Sequence, residues 1–277
     1  MPELPEVELV ARSLDRLVAG RRIARAALLR ARLAPDTTAE KFAGDLASSR
    51  IRAVGRRGKH ILFDLDNRRT LITHLRMSGR FMLLDADRED PRFTHAVFYF
   101  DDETRLVFQD QRHFGMMKVV ESERLAAQKE IAKLAPEPLS DDFTHSAFCT
   151  SLKSSRRTIK EFLLDQTKVC GLGNIYAAEA LFLAGVHPAA RTHRLSRRRA
   201  ELLYEMIRQV LQEAIDAGST IDVDPENIEA SYYGGGYGSS WRVYDRESEP
   251  CVKCERPIAR IVQAGRSSYH CPHCQRR

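Results

Sequence analysis

The sequence predicts an α+β chain: a leading helix, a sandwich or barrel of short strands, a helical second half and a metal-binding module. Three observations predict it. Apolar residues recur at three-four spacing near the start, and short β-rich runs separated by turns fill residues 22–120. Helical periodicity returns after Pro136-Glu137-Pro138. Four of the six cysteines stand as Cys251-x2-Cys254 and Cys271-x2-Cys274, with sixteen residues between the pairs.

The first element is a helix over 5–19, with Val7, Val10, Leu14, Leu17 and Val18 on one face and Gly20 as its stop. Strands follow at His60–Leu65, Leu71–Thr73, Arg80–Leu84, Ala96–Phe100, Arg105–Phe108 and Met117–Val120, with Asp66-Asn67 and Asp101-Asp102 as turns. Several short strands after one helix suggest a sandwich or barrel. Helices are expected at 141–153, 156–166, 174–185 and 196–217, the last with Ser196 as N-cap. The stretch 218–242 carries Gly234-Gly235-Gly236 among Tyr232, Tyr233, Tyr237 and Trp241, the composition of a loop that orders around something. Two lobes with a hinge near 122–142 result.

Composition sets the outer limits. The 277 residues are 43% hydrophobic and 30% charged, which excludes a disordered tail or a fibrous repeat. No run of eighteen apolar residues provides a membrane span. The start, Met1-Pro2-Glu3-Leu4-Pro5-Glu6, lacks the order of a signal peptide. The net charge of +6 fits a polyanion partner only weakly. Its placement is more telling. Residues 251–277 hold Lys253, Arg256, Arg260, Arg266, Arg276 and Arg277 against Glu255 alone, so five of the six net charges lie in this module.

The spacing of Cys251, Cys254, Cys271 and Cys274 is that of one tetrahedral zinc ion. Four protein ligands leave no open position, so the Zn2+ is expected to hold structure and do no chemistry. Cys149 and Cys170 stand alone and read as small buried residues in apolar surroundings.

Three segments, in order along the chain, resemble one family. These are Pro2-Glu3-Leu4-Pro5-Glu6-Val7-Glu8, Gly171-Leu172-Gly173-Asn174-Ile175-Tyr176-Ala177 and the four-cysteine module. Together they look like the formamidopyrimidine-DNA glycosylase and endonuclease VIII family, on its formamidopyrimidine branch. The resemblance implies an N-terminal β-sandwich with its leading helix, a helix–two-turn–helix domain and a C-terminal β-hairpin zinc finger. It sets boundaries at 1–121 for the catalytic sandwich, 122–142 for the hinge and 143–221 for the DNA-binding helices. A lesion-capping loop at 222–241 and the finger at 242–277 complete the chain.

The chemistry starts at Pro2. Once Met1 is removed, Pro2 presents a secondary α-amine whose ordinary pKa of about 8 leaves a useful neutral fraction. Such an amine can attack a sugar C1′ and form a Schiff base. Pro2 could equally just begin the first helix; the resemblance makes it the nucleophile. Glu3, beside it, matches the catalytic acid. Glu6, a turn further on, either assists or favours the helix dipole. Lys59, in Arg56-Arg57-Gly58-Lys59-His60, matches a lysine that grips phosphate and aids elimination, and His74 matches another phosphate contact. Gly171 and Gly173 before a helix could turn backbone amides toward a phosphate, with Asn174 alongside, or form a tight inter-helix turn. Met77, Arg112 and Phe114 match the residues that fill the gap left by a flipped nucleotide. Arg266 matches the zinc-finger arginine on the DNA phosphate and counts with the catalytic set.

The sequence also departs from the pattern. Gln111-Arg112-His113-Phe114-Gly115 carries His113 where a second arginine is usual, which weakens that DNA contact or makes it pH-sensitive. Phe93 stands where a histidine is usual, and a lysine of the second lobe aligns near Ser155.

The expected function is a bifunctional DNA glycosylase and abasic-site lyase acting on oxidised purines in damaged double-stranded DNA. The expected protein is a monomer without membrane attachment, in a bacterial-type cytoplasm on the nucleoid. The alternatives are an endonuclease VIII-like preference for oxidised pyrimidines, or a non-catalytic binder of damaged or abasic DNA if Met1 is retained.

Overall fold

Helix α1 (Leu4–Val18) forms where the apolar spacing places it, and Val7, Val10, Ala11, Leu14 and Val18 are buried along one face. Gly20, at φ +83°, ends it as expected. The structure is a computed structural model describing residues 1–85, 87–218, 238 and 240–276. It divides into two units. The first holds Met1–Pro2 and Glu6–Ala132; the second holds Glu3–Pro5 and, among the later described residues, 133–218, 238 and 240–276.

The first unit is a β-sandwich of two four-stranded antiparallel sheets. One has the order β1 (Ile23–Leu28), β6 (Thr94–Phe100), β7 (Thr104–Asp110), β5 (Gly79–Asp85). The other has β2 (Ile51–Arg57), β3 (His60–Leu65), β4 (Arg69–His74), β8 (Met116–Glu121). Between them Phe63 and Phe81 meet edge-on at 5.4 Å, in a core shared with Ile61, Leu71, Phe98, Phe108 and the buried face of α1. All six strands expected from sequence are present. Two strands and a helix are additional: β1, β2 and α2 (Ala39–Leu46), the last capped by the Thr38 hydroxyl on the Lys41 N–H.

Two helices of the second unit begin later than periodicity alone suggests. Helix α3 is His145–Lys153, not 141–153, because the Thr144 hydroxyl caps it on the Ala147 N–H. Helix α4 is Ile159–Leu164, not 156–166, because Thr158 and Glu161 form a capping box and Asp165 turns to bond Thr167. Helix α5 is Asn174–Leu183, and α6 is Arg197–Asp216 with Ser196 as its N-cap. The hairpin β9 (Ala259–Gln263) and β10 (Arg266–His270) follows, paired antiparallel. Cys170 is buried and its thiol donates to Glu137 Oε1; Cys149 is only half-buried, and it faces His145 Nε2 at 3.5 Å. Among the described residues no helix is long and apolar enough to cross a membrane. The expected capping loop at 222–241 lies outside the described residues except for 238, 240 and 241.

Candidate active site and nucleic-acid interface

In the first unit Pro2 and Glu6 are buried at the root of α1. Two residues, Gly58 and Lys59, join β2 to β3. Gly58 has φ +57°, which the first position of such a hairpin turn requires. Lys59 is buried and lies next to a pair of histidines. His60 and His74 face each other across β3 and β4, ring edge to ring face, with centroids 4.7 Å apart. Burial, chiefly, lowers His60 to about 4. Burial, then the neighbouring His60, Arg76 and Lys59, hold His74 well below the usual histidine range. Both rings are neutral at neutral pH. His74 Nδ1 accepts the Arg76 N–H at 3.0 Å, so the ring proton sits on Nε2. His74 is therefore a neutral N–H donor, not a cation.

Two turns of this unit carry the gap-filling candidates. Met77 lies between β4 and β5, and Arg112, His113 and Phe114 lie between β7 and β8. Met77 is 39% exposed and Phe114 48%, unusual for large apolar side chains. The Arg112 guanidinium lies 5.3 Å from the Phe114 ring centroid. His113 stacks on His95 at 4.8 Å, with its Nδ1 2.9 Å from His95 Nε2. Its ring also meets Phe93 edge-on at 5.8 Å. The two positions that depart from the resemblance, Phe93 and His113, thus touch each other.

In the second unit Glu3 occupies the N-terminus of α5. Its carboxyl oxygens accept the N–H groups of Gly173 at 2.7 Å, Ile175 at 2.9 Å and Tyr176 at 3.4 Å. A Cβ on Gly173 would lie 2.4 Å from Glu3 Cδ, so only glycine admits this carboxyl group. Gly171, at φ +77°, would bring a Cβ to 2.7 Å from the Leu4 side chain. The glycines are therefore packed against Glu3 and Leu4, and the group that takes the N–H donors at this helix end is the Glu3 carboxyl. Asn174 donates to the Ser267 carbonyl at 3.1 Å. The same carbonyl takes the Lys160 ammonium at 2.6 Å, and the Ser268 hydroxyl takes it at 2.7 Å. Lys160 and Asn174 thereby fix the residue after Arg266, whose side chain is exposed at the start of β10. Burial lowers Lys160 to about 7; Glu3 opposes this and Arg266 adds to it.

The four cysteines close this unit. Their sulfurs all lie within 4.8 Å of one another. The nearest pairs, Cys254–Cys271 at 3.5 Å and Cys251–Cys274 at 3.9 Å, are far beyond a disulfide bond. Backbone N–H groups of Lys253 and Cys274 point at Cys251 Sγ and Cys271 Sγ, each at 3.4 Å, as they do toward thiolates on a metal. Burial and the adjoining thiols push Cys274 up to about 12. An all-sulfur tetrahedral set of this size fits one structural Zn2+.

Three family models match along the chain. The formamidopyrimidine-DNA glycosylase N-terminal domain matches residues 1–117, and the formamidopyrimidine-DNA glycosylase H2TH domain matches 134–224. A zinc finger found in FPG and IleRS matches 248–277. The chain belongs to the formamidopyrimidine-DNA glycosylase family. It is a DNA glycosylase of base excision repair with abasic-site lyase activity. It is 40% identical over 276 residues to formamidopyrimidine-DNA glycosylase of Listeria innocua, each chain covered fully. It is 42% identical over 282 residues to the Chloroflexus aurantiacus enzyme, covering 99% of this chain and 98% of that one. The Lactococcus lactis enzyme in complex with DNA containing an abasic site superposes with a TM-score of 0.92 at 33% identity, covering 99% and 100% of the two chains.

The structure also brings forward three residues that the sequence did not single out: Lys160, Glu179 and Asp110. The Ser155 hydroxyl accepts the Arg157 N–H, and the lysine that reaches the hairpin is Lys160, five residues on. Glu179, fully buried in α5, accepts the N–H groups of Arg242, Val243 and Tyr244 at 2.9, 3.0 and 2.9 Å. A lone carboxylate in the apolar run Asn174–Leu183 was the available signal. Asp110, also fully buried, binds both turns that carry Met77 and Phe114.

Proposed function

We propose that this enzyme excises oxidised purines, 8-oxoguanine and formamidopyrimidines, from damaged double-stranded DNA through an iminium (a cationic Schiff base) on Pro2. The observation that supports this is the carboxyl group of Glu3, the residue bonded to Pro2. It is buried and fixed by three backbone N–H groups. A proton donor so held beside a secondary amine suits attack on a sugar carbon.

Removal of Met1 frees the Pro2 amine. Its nitrogen bonds to C1′ and the base leaves along its glycosidic electrons, taking a proton. The C1′–O4′ bond then opens to give an iminium, with O4′ protonated. Glu3 supplies or takes these protons, and Glu6 stands as a second carboxyl one turn on. Loss of a C2′ proton expels the 3′ phosphate, and a second elimination expels the 5′ phosphate. Lys59, the neutral His74, Asn174 and Arg266 hold the phosphates. Met77, Arg112 and Phe114 fill the gap of the flipped nucleotide. Zn2+ holds the β9–β10 hairpin and takes no part in the reaction. Contacts of these kinds give lesion specificity with little sequence specificity. The place of action is the bacterial cytoplasm, on the nucleoid.

The test is borohydride trapping on a duplex with 8-oxoguanine opposite cytosine, with the mass of the intact protein measured in parallel. Wild type lacking Met1 should give a covalent adduct, and Pro2→Gly should not. Equal trapping by Pro2→Gly, or a retained Met1 in active protein, would overturn the mechanism. A thymine glycol duplex cleaved faster than the 8-oxoguanine duplex would shift the substrate to oxidised pyrimidines.

A further inference from the structure

We propose that Asp110 is the positioning residue that locks the two gap-filling turns into one body, so that Met77, Arg112 and Phe114 enter the base stack together. This rests on the reading of those three residues given above.

Asp110 ends β7 and is fully buried. Its Oδ1 accepts the Ser78 hydroxyl from the β4–β5 turn. The same oxygen accepts the Arg112 N–H at 3.2 Å, and Oδ2 accepts the Gly115 N–H at 2.6 Å, both from the β7–β8 turn. Ser78 Oγ in turn accepts the Arg112 N–H at 3.1 Å. One carboxylate thus holds the residue after Met77 and the residues on both sides of the pair His113-Phe114.

A second observation points the same way. Both turns leave over one ring, that of buried Phe108. A Cβ on Gly79 would lie 2.7 Å from that ring and 2.6 Å from the Leu75 carbonyl oxygen. A Cβ on Gly115 would lie 2.9 Å from the ring and 3.2 Å from Asp110 Oδ2. Glycine at both exits lets the two turns close on the same support. Above this floor the exposed ends, Met77, Arg112 and Phe114, are large and depend on their backbones for aim. A wedge of separate pieces would spend part of its contact energy ordering itself inside the helix. The Asp110 bridge does that ordering beforehand.

Ser78 makes the cleanest test, because Ser78→Ala cuts the tie between the turns and leaves Asp110 on Arg112 and Gly115. Two rates are measured for each variant. One is single-turnover excision of 8-oxoguanine opposite cytosine in duplex DNA, which needs the gap filled. The other is cleavage at an abasic site in single-stranded DNA, which has no opposite base and no gap. The ratio of the first to the second should fall about tenfold or more in Ser78→Ala and in Asp110→Asn, the scale of a small misplacement at an active site. Ser78→Thr, which keeps the hydroxyl, should restore it. A ratio within about twofold of wild type in both Ser78→Ala and Asp110→Asn would overturn the proposal. So would equal loss of both rates together with a lowered unfolding midpoint, since Asp110 would then only support the fold. Phe114→Ala serves as the reference. If it too keeps the wild-type ratio, the gap-filling reading itself is wrong; if only Phe114→Ala lowers the ratio, the bridge alone is.

Discussion

The two units solve the same problem in opposite ways. The sandwich puts its gap-filling candidates Met77, Arg112 and Phe114 on exposed turns and backs them with an apolar core. Met77 and Phe114 stand in solvent above Phe108, and His74 is kept uncharged. The helical unit buries its ionisable groups instead. Glu3, Lys160 and Glu179 are sunk among backbone N–H and C=O groups, and each orients a neighbouring segment. Replacing a turn residue removes its own contact. Replacing a buried carboxyl or ammonium group also strands several partners. The second unit should therefore show the larger effects.

The largest effect is expected at Glu3. Glu3→Gln keeps the shape but removes the proton, and its amide nitrogen must face a backbone N–H of α5. Base release should fall by about 10²–10⁴-fold, the usual contribution of a positioned general acid. Single-turnover excision, with the unfolding midpoint measured alongside, checks this. Full excision with a lowered midpoint would make Glu3 a helix cap and no more. Next comes the metal. Chelation, or Cys254→Ser, should release one zinc per chain and loosen the hairpin that carries Arg266. DNA affinity should then drop about tenfold or more, the scale of a lost charge-assisted phosphate contact. Metal analysis and a binding titration read it, and unchanged affinity in zinc-free protein would separate the finger from DNA binding.

What the sequence made legible follows the same division. Strands β3 to β8 showed because their alternating apolar runs are long and end in turn residues. Strand β1 hid because Ile23–Leu28 contains three alanines, poor strand formers, and β2 because Ile51–Arg57 contains three arginines and a glycine. Helix α2 is eight residues, little more than two turns. The cysteine spacing disclosed the zinc site outright, since ligand spacing survives without tertiary context. Lys160 did not show, because a lysine in the first turn of a helix reads as solvated until the hairpin is packed over it. Asp110 did not show either: its partners lie at Ser78 and Gly115, and only the sheet register brings them together.

Lys160 makes the comparison measurable by pH. Its pKa is lowered from 10.5 to about 7 in the folded chain, chiefly by burial. Between those values the unfolded chain binds more protons than the folded one, so stability rises with pH across that window. Below about 7 the full cost of burying the charge is present; above 10.5 it is gone. Lys160→Met carries no such charge. The unfolding midpoint of wild type should therefore gain on that of Lys160→Met as pH rises from 7 toward 10. A constant difference would mean that the buried ammonium keeps its proton throughout.

The smallest effect is expected back in the sandwich, where a charge can be added at the cost of one ring contact, that of His113 with His95. His113 stacks on His95 and meets Phe93, and its left-handed backbone, at φ +57°, is held by the Asp110 turn beneath it. His113→Arg would place a permanently charged, exposed group beside Arg112. Each phosphate neutralised releases counterions, so the plot of log affinity against log salt should steepen by about one. Affinity should rise a few-fold at low salt and hardly at all at high salt. Excision by the bound complex should not change, because the arginine touches neither the sugar nor the base. An unchanged salt slope would mean that residue 113 faces the protein and that the His95–His113 pair replaces a DNA contact with an internal one. A steeper slope with slower excision would mean instead that the stacked histidines aim the gap-filling turn, and that charge gained there costs alignment.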